Sequence, residues 1–380
     1  MSTSTATATF VEDTRSRRWR AFDWQLLLYV VLLIGFGVVM GYSANYQAIN
    51  GAGGMSQTVR TLIWTCIGLT LFFVAASIDY HWLQTFATPI YIVVLGLLAA
   101  TGLVGTNLFG AQMSISVAGL DFQFSEISKV LMIVVLATFL ASRGERIGRL
   151  STIVGAALLM AVPAFLVYRQ PDLGTALVFV AILFGMLFMS GAGIGWLALL
   201  TGAAVAVAPI AVAALHEYQR QRLFCFLNPS TDPQGACYQL VQALNAVGSG
   251  GLLGHGLTAG RQNQLGFLPV QSTDFIFTVV AEELGFLGGM ILLALFALLV
   301  WRVLRIGWGA RDPLGMAVAA GIASMLLFQI MVNIGMVTGI MPVTGIPLPF
   351  ITYGGSSMIS LLFGMGILQS VRMHASRPTF

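Results

Sequence analysis

Charge is what this 380-residue chain has least of. Asp, Glu, Lys and Arg make up 8% of it, against about 25% in ordinary soluble domains. Apolar residues reach 57% and mean hydropathy is +0.89. A water-soluble fold cannot hide that much apolar surface, so the composition excludes one. The apolar runs are long and continuous rather than alternating, which excludes a transmembrane β-barrel. What remains is an all-α polytopic membrane protein.

Other shortages narrow the chemistry. Lysine occurs once, at Lys129, and the four histidines (His81, His216, His255, His374) are scattered without ligand spacing. No G-x-x-x-x-G-K-[ST] loop, dinucleotide fingerprint or G-x-S-x-G elbow is present. No basic-aromatic stripe suggests nucleic acid. No internal repeat of 20–50 residues or inverted duplication appears, which weighs against repeat-built transporters. Of three cysteines, Cys66 lies inside an apolar run and reads as a small buried hydrophobe. Cys225 and Cys237 share one long loop; a disulfide there, worth about 3 kcal/mol, requires an oxidising compartment and a geometry that sequence does not reveal.

Apolar runs of about 17–20 residues mark membrane spans. Ten are expected, at 24–41, 60–78, 88–106, 126–142, 152–168, 173–190, 194–215, 275–301, 313–337 and 357–371. The opening MSTSTATATFVEDTRSRRWR is polar and basic, without the apolar core or cleavage site of a signal peptide. Residues 1–21 are therefore expected to form a disordered cytoplasmic tail, 22–372 the membrane domain and 373–380 a second cytoplasmic tail. Twelve of the eighteen basic residues then fall on the inner side, as the positive-inside rule requires. A pI near 9.1 suits a protein held against anionic lipid.

Two outer loops stand out. Residues 216–273, between spans seven and eight, exceed the usual limit of about 12–15 residues for structureless loops. Within them Gln239, Gln242 and Asn245 oppose Leu240, Val241, Leu244 and Val247, predicting a short helix lying on the membrane surface. Residues 338–356 are rich in proline and glycine and read as a re-entrant turn, tolerated at membrane depth only against protein or a wet cavity.

The few charges are then the informative residues. Asp274, Glu282 and Glu283 lie at and inside the eighth span, where an ionised acid costs about 2.5–3.5 kcal/mol on insertion scales and so marks a functional site. Glu282 or Glu283 could pair with Lys129 or an arginine across the bundle. Glu126 and Lys129 share one helical face, as a self-neutralising pair or as a cavity wall meeting an anionic substrate. Asp172, after Pro171, suits a helix start or a site acid. Arg220, Arg222 and Arg261 lie on the same outer side and are candidate phosphate ligands.

RQPDLGTA, NPSTDPQGACYQLVQALNAVGSGGLLGHGL, FLPVQSTDFIFTVVAEELGFLG and NIGMVTGIMPVTGIPLPFITYGGSS resemble the SEDS proteins (RodA, FtsW and SpoVE) from about Phe22 to Arg372. FDWQLLL and the segment around Gly260–Phe277 are closer to RodA. The resemblance implies a ten-helix bundle and a peptidoglycan glycosyltransferase in the cell membrane. Its substrate would be lipid II, and its partner a class B penicillin-binding protein, during cell elongation. It implies that Asp274 is the essential acid, with Glu126 and Lys129 matching a QPSE-x-x-K element and Asp172 a QPDLG element. Arg220, Arg222 and Glu283 complete the expected substrate contacts. This chain differs at Phe124 in QPSE, and carries Val270 and Ser272 where the family has Glu and His; the family's Arg-Trp near 112 is replaced as well. Positive charge for the departing pyrophosphate would come from Lys129, the outer arginines or a divalent cation (magnesium or manganese), with no organic cofactor. A lipid II flippase and a non-catalytic cell-wall scaffold are the alternative readings.

Overall fold

The computed structural model describes residues 19–46, 57–104, 106–108, 111–117, 120–213, 215, 217–230, 232–235, 237–264 and 273–375. The tails expected at 1–21 and 373–380 fall largely outside the described residues, as do Val270 and Ser272. Ten helices of 17 residues or more carry the chain: α1 Trp24–Ala44, α2 Gln57–Ser77, α3 Ala87–Val104, α4 Phe124–Ala141, α5 Leu150–Arg169, α6 Leu173–Met189, α7 Ile194–Ala213, α8 Ile276–Trp308, α9 Pro313–Val337 and α10 Gly355–Ala375. Seven of them are long and apolar enough to cross a membrane by length and composition. The protein is a helical, multi-pass membrane protein.

Helix starts are set by aspartates that accept the first free backbone N–H groups. Asp23 accepts from Leu26 at 3.0 Å, Asp172 from Thr175 at 2.9 Å and Asp312 from Gly315 at 3.0 Å. Three helices form the middle of the bundle. The apolar stretches of α9 and α4 are 72% and 67% buried and α10 buries 16 of its 21 residues, whereas the stretch of α7 is 0% buried and touches little besides α6. Other helices wrap these three, α2 against α10, α1 against α8 and α5 against α6.

An all-helical fold omits one feature. Thr106–Leu108, Ala111–Val117 and Leu120–Phe122 form a three-stranded antiparallel sheet between α3 and α4, with Ser116 opposite Asp121. The alternation in Gln112-Met113-Ser114-Ile115-Ser116-Val117 is the strand signal.

The eighth helix is longer than the apolar run that predicts it, and it is broken. Gly285 has φ 64° and ψ −162°, outside the range open to other residues. A glycine-rich loop docks into the break, where His255 and Gly256 donate backbone N–H groups to the carbonyls of Glu282 and Glu283 at 3.1 and 2.9 Å. Phe286 and Leu287 in turn donate to the carbonyls of Gly251 and Leu252 at 2.9 and 3.1 Å. Backbone groups freed by the kink are thereby satisfied inside protein. A β-carbon on Gly285 would lie 2.4 Å from the Gly254 nitrogen, so the loop reaches the helix only because neither residue has a side chain.

Among the described residues the loop at 216–273 contains helices Glu217–Leu227 and Tyr238–Ser249, joined by a Cys225–Cys237 disulfide, and a short one at Arg261–Gln264. The second helix packs against α8 and α9, burying Leu240, Ala243 and Ala246 at three-residue spacing. Only Cys66 of the three cysteines is free. Denatured protein purified without reductant is therefore expected to take up one equivalent of alkylating agent, and three after reduction. Intact mass measures both, and uptake of three without reduction would contradict the cross-link.

Candidate active site

Five polar residues from four separate segments gather at one end of the bundle. Glu126 and Lys129 stand in the first two turns of α4, and Asp172 caps α6. Asp274 lies in the turn before α8, and Arg222 on the short helix of the outer loop. Part of the group rests on the proline- and glycine-rich connection between α9 and α10.

Asp274 and Arg222 meet over Gly345. A β-carbon on that glycine would lie 3.2 Å from Oδ2 of Asp274 and 3.6 Å from Nη1 of Arg222. Gly345 has φ 75°, so it supplies both the turn and the clearance. The neighbouring residues of this connection reach α6, since a β-carbon on Gly174 would sit 2.8 Å from the Thr344 carbonyl oxygen. One loop thus underlies both Asp274 and the capped start of α6.

Arg222 is held from both sides. Gln219 donates through Nε2 to the Pro171 carbonyl at 3.0 Å, tying its helix to the Asp172 turn. Three residues beyond Arg222, the Cys225 disulfide ties the same helix to the one packed on α8 and α9. The cross-link that sequence left open is therefore part of the frame of the site.

The electrostatics follow from burial. Loss of solvent pushes the Asp274 carboxyl up to about 6; the Arg222 guanidinium opposes that rise and the nearby Asp172 adds to it. Asp172 is also raised by burial, against the Thr175 hydrogen bonds and the charge of Lys129, with Glu126 pushing the same way as burial. Gln123 donates to the free oxygen of Asp172 at 3.4 Å. Lys129 and Glu126 form an ion pair at 2.7 Å, 1% and 3% exposed. The acids and bases therefore act as one linked set rather than as isolated surface charges.

Two expected substrate contacts stand elsewhere. Glu283 is 0% exposed and accepts a hydrogen bond from the Ser43 hydroxyl, while Glu282 accepts from the Gln262 backbone N–H at 2.8 Å. Both face the docked loop at the helix break, roughly 12–14 Å along α8 from Asp274 at about 1.5 Å per residue. They accept from a hydroxyl and a backbone donor there. Arg220 donates through Nη2 and Nε to the carbonyls of Ala213 and Val212, capping the end of α7. Arg261 begins a four-residue helix and is exposed. Residues not singled out from sequence also organise the site. Asn333 and Thr352 both bond to the backbone of the Asp274 turn, and an asparagine within the apolar α9 is the signal that was available for the first. Among the described residues no three His, Cys, Asp or Glu side chains converge as a metal site.

Comparison with known proteins adds to this geometry. A family model described as "Cell cycle protein", covering FtsW, RodA and SpoVE, matches residues 24–377. The chain is 37% identical over 358 residues to stage V sporulation protein E of Bacillus subtilis (strain 168), spanning 93% of this chain and 97% of that protein. It is 39% identical over 361 residues to peptidoglycan glycosyltransferase MrdB of Escherichia coli (strain K12), spanning 93% and 94%. Among solved structures it resembles Thermus thermophilus rod shape determining protein RodA, with TM-score 0.70, 31% identity and coverage of 94% and 99%. A chain from a structure described as the structural coordination of polymerization and crosslinking by a peptidoglycan synthase complex matches with TM-score 0.79, 32% identity and coverage of 93% and 98%.

Burial makes the Lys129–Glu126 pair a test of how the site is held together. Lys129→Met strands a buried carboxylate and is expected to cost about 3–5 kcal/mol, whereas the double change with Glu126→Gln restores most of it. Thermal unfolding in detergent measures both; equal Tm values for the single and double variants would show that the pair is uncoupled.

Proposed function

The chain belongs to the FtsW, RodA and SpoVE family and is a peptidoglycan glycosyltransferase of cell-wall synthesis, and we propose that it polymerises lipid II by a single inverting displacement with Asp274 as base. The observation that carries this reading is the half-buried Asp274 carboxylate meeting Arg222 over Gly345. Converting an α-linked lipid pyrophosphate donor into a β-1,4 product requires inversion. One displacement achieves it, with one group accepting the proton of the attacking sugar hydroxyl. A positioned base of this kind contributes about 10²–10⁴-fold.

The raised proton affinity of Asp274 suits that task. A carboxylate lifted to about 6 is still ionised at neutral pH and is a stronger base than one in water. The departing pyrophosphate needs positive charge fixed in advance. Arg222 offers a planar donor fork beside the acid, and Lys129 a point charge deeper in the bundle. Glu126 and Asp172 hold that lysine and line the same end. A magnesium or manganese ion, when bound, would add positive charge for the departing pyrophosphate beside these side chains.

Orientation follows from the same residues. A disulfide belongs in an oxidising compartment, so the Cys225–Cys237 loop and Asp274 lie outside the inner membrane, with both termini in the cytoplasm. The chemistry then occurs at the outer leaflet. The likeness to a rod shape determining protein supports a role in elongation. The match to a chain of a peptidoglycan synthase complex supports a class B penicillin-binding protein as the partner.

Asp274→Asn is expected to abolish glycan strands made from purified lipid II in detergent while leaving Tm and partner binding unchanged. The wild-type rate should fall as pH drops through about 6, because a protonated carboxyl cannot accept the hydroxyl proton. A gel of products across that range checks both. Full polymerisation by the asparagine variant, or a rate flat across that pKa, would remove Asp274 as the base. In detergent no transport can stand in for the reaction, so a flippase gives no product at all.

A further inference from the structure

The Asp274 side chain projects from a short turn, and what fixes that turn lies in residues with no part in proton transfer. Asn333, on α9 and 0% exposed, spends both hydrogens of its amide on carbonyls. One is the Asp274 carbonyl at 2.9 Å and the other the Ile346 carbonyl at 2.7 Å. The reversed amide would set an oxygen against two carbonyl oxygens, so these neighbours determine its orientation. Thr352, 6% exposed, makes a second bridge: its hydroxyl accepts from the Leu348 N–H at 2.7 Å and donates to the Thr273 carbonyl at 3.2 Å.

The turn so held is under constraint. Phe350 lies between the two ends of the Leu348–Thr352 bridge with φ 63°, a region that bulky residues rarely occupy. From the opposite side α1 presses on it at Gly37, where a β-carbon would lie 2.5 Å from the Phe350 carbonyl oxygen. Such a conformation persists only where its surroundings over-determine it, and it is typically found beside a functional group.

We propose that Thr352 and Asn333 are positioning residues for Asp274, stapling the Thr273–Asp274 backbone to the Gly345–Thr352 turn and so setting where the carboxylate points. The proposal rests on the reading of Asp274 as the base. Without the staple, the carboxylate no longer faces Arg222 above Gly345. Neither residue need touch substrate. The hydroxyl is the element that matters at 352, because valine has the same shape and neither bond.

The test uses the purified full-length chain with Thr352→Val, Thr352→Ser and Asn333→Ala. Carbodiimide labelling of Asp274 across pH, read by peptide mass spectrometry, reports the titration of the carboxyl without any substrate. Thr352→Val is expected to move the labelling midpoint from its wild-type position down toward the ordinary carboxylate range, as the group turns out to solvent. It should also lower kcat by roughly 10- to 100-fold, the scale of a small misplacement, with little change in KM. Thr352→Ser keeps both bonds and should match wild type in both measurements. Asn333→Ala should shift the midpoint in the same direction, and it decides the matter if the valine variant does not fold.

A valine variant that labels and turns over like wild type overturns the staple, as does a serine variant as defective as valine. So does a loss of Tm and kcat with an unmoved labelling midpoint, which would mean a merely structural role. Should Asp274→Asn still polymerise, the base assignment fails by itself, and the labelling result continues to decide the staple.

Discussion

A carboxylate can remain at the edge of a hydrocarbon layer only if the backbone around it is already satisfied. The turn before α8 meets that condition by borrowing donors from another part of the chain: Asn333 and Thr352 bond the carbonyls of Asp274 and Thr273. The side chain is thus left as the polar group of that turn still open to reaction. Without those bonds, two carbonyls would compete with the carboxylate for whatever donor arrives. Burying an unpaired amide-type group costs about 1–3 kcal/mol in proteins, enough to redirect a side chain. The bonds therefore decide not only that the turn folds but what it presents.

The same loop explains why the acids influence one another. It packs beneath Asp274 at Gly345 and against α6 at Gly174, so the two aspartates are brought near without sharing a helix. The charge of Asp172 adds to the rise in the proton affinity of Asp274. Lys129 and Arg222 moderate them from opposite sides, one in the bundle and one on the outer loop. A negatively charged group entering this set would meet cations already fixed in place. Such charges require no reorganisation during the reaction and count for most where water is scarce.

Much of this was legible in the sequence, because a membrane imposes length and polarity rules that one chain cannot evade. Each of the ten apolar runs coincides with a helix among the described residues, seven of them long and apolar enough to cross a membrane. Asp274, Asp172, Glu126 and Lys129 stood out by being charged at or inside apolar runs, Arg222 by its place on the outer loop. Arg222 and Arg220 could not be told apart by that signal. One turns to Asp274 and the other to the end of α7, and a two-residue offset on a helix decides which. Glu283 misled for a related reason: a buried acid looks the same whether it awaits substrate or closes a helix break at Gly285. Asn333 and Thr352 gave weaker signals still. Their partners are backbone carbonyls, which carry no residue identity and come together only through the fold. The strands at 106–122 were overlooked because the helical signal around them is so strong.

The opposite end of the bundle shows why polar chemistry is confined to one face. There the charged groups are engaged in tying helix ends together. Asp23 caps α1 and receives Arg302 through Nε at 2.9 and 3.0 Å to its two oxygens. Asp312 caps α9 while accepting from the Tyr80 hydroxyl at 2.7 Å. His81 lies between Asp79 and Asp312 at 2.7 and 2.8 Å. Burial works against a charge on that ring, but the two carboxylates outweigh it and raise its proton affinity. The acids at that end are committed to holding helix starts and neighbouring cations. A carrier needs polar groups that can be exchanged at both faces as its path opens from each in turn. Here one end is knotted and the other presents a carboxylate, a guanidinium and a lysine in fixed relation, an arrangement suited to transforming a bound glycosyl donor in place rather than moving it across.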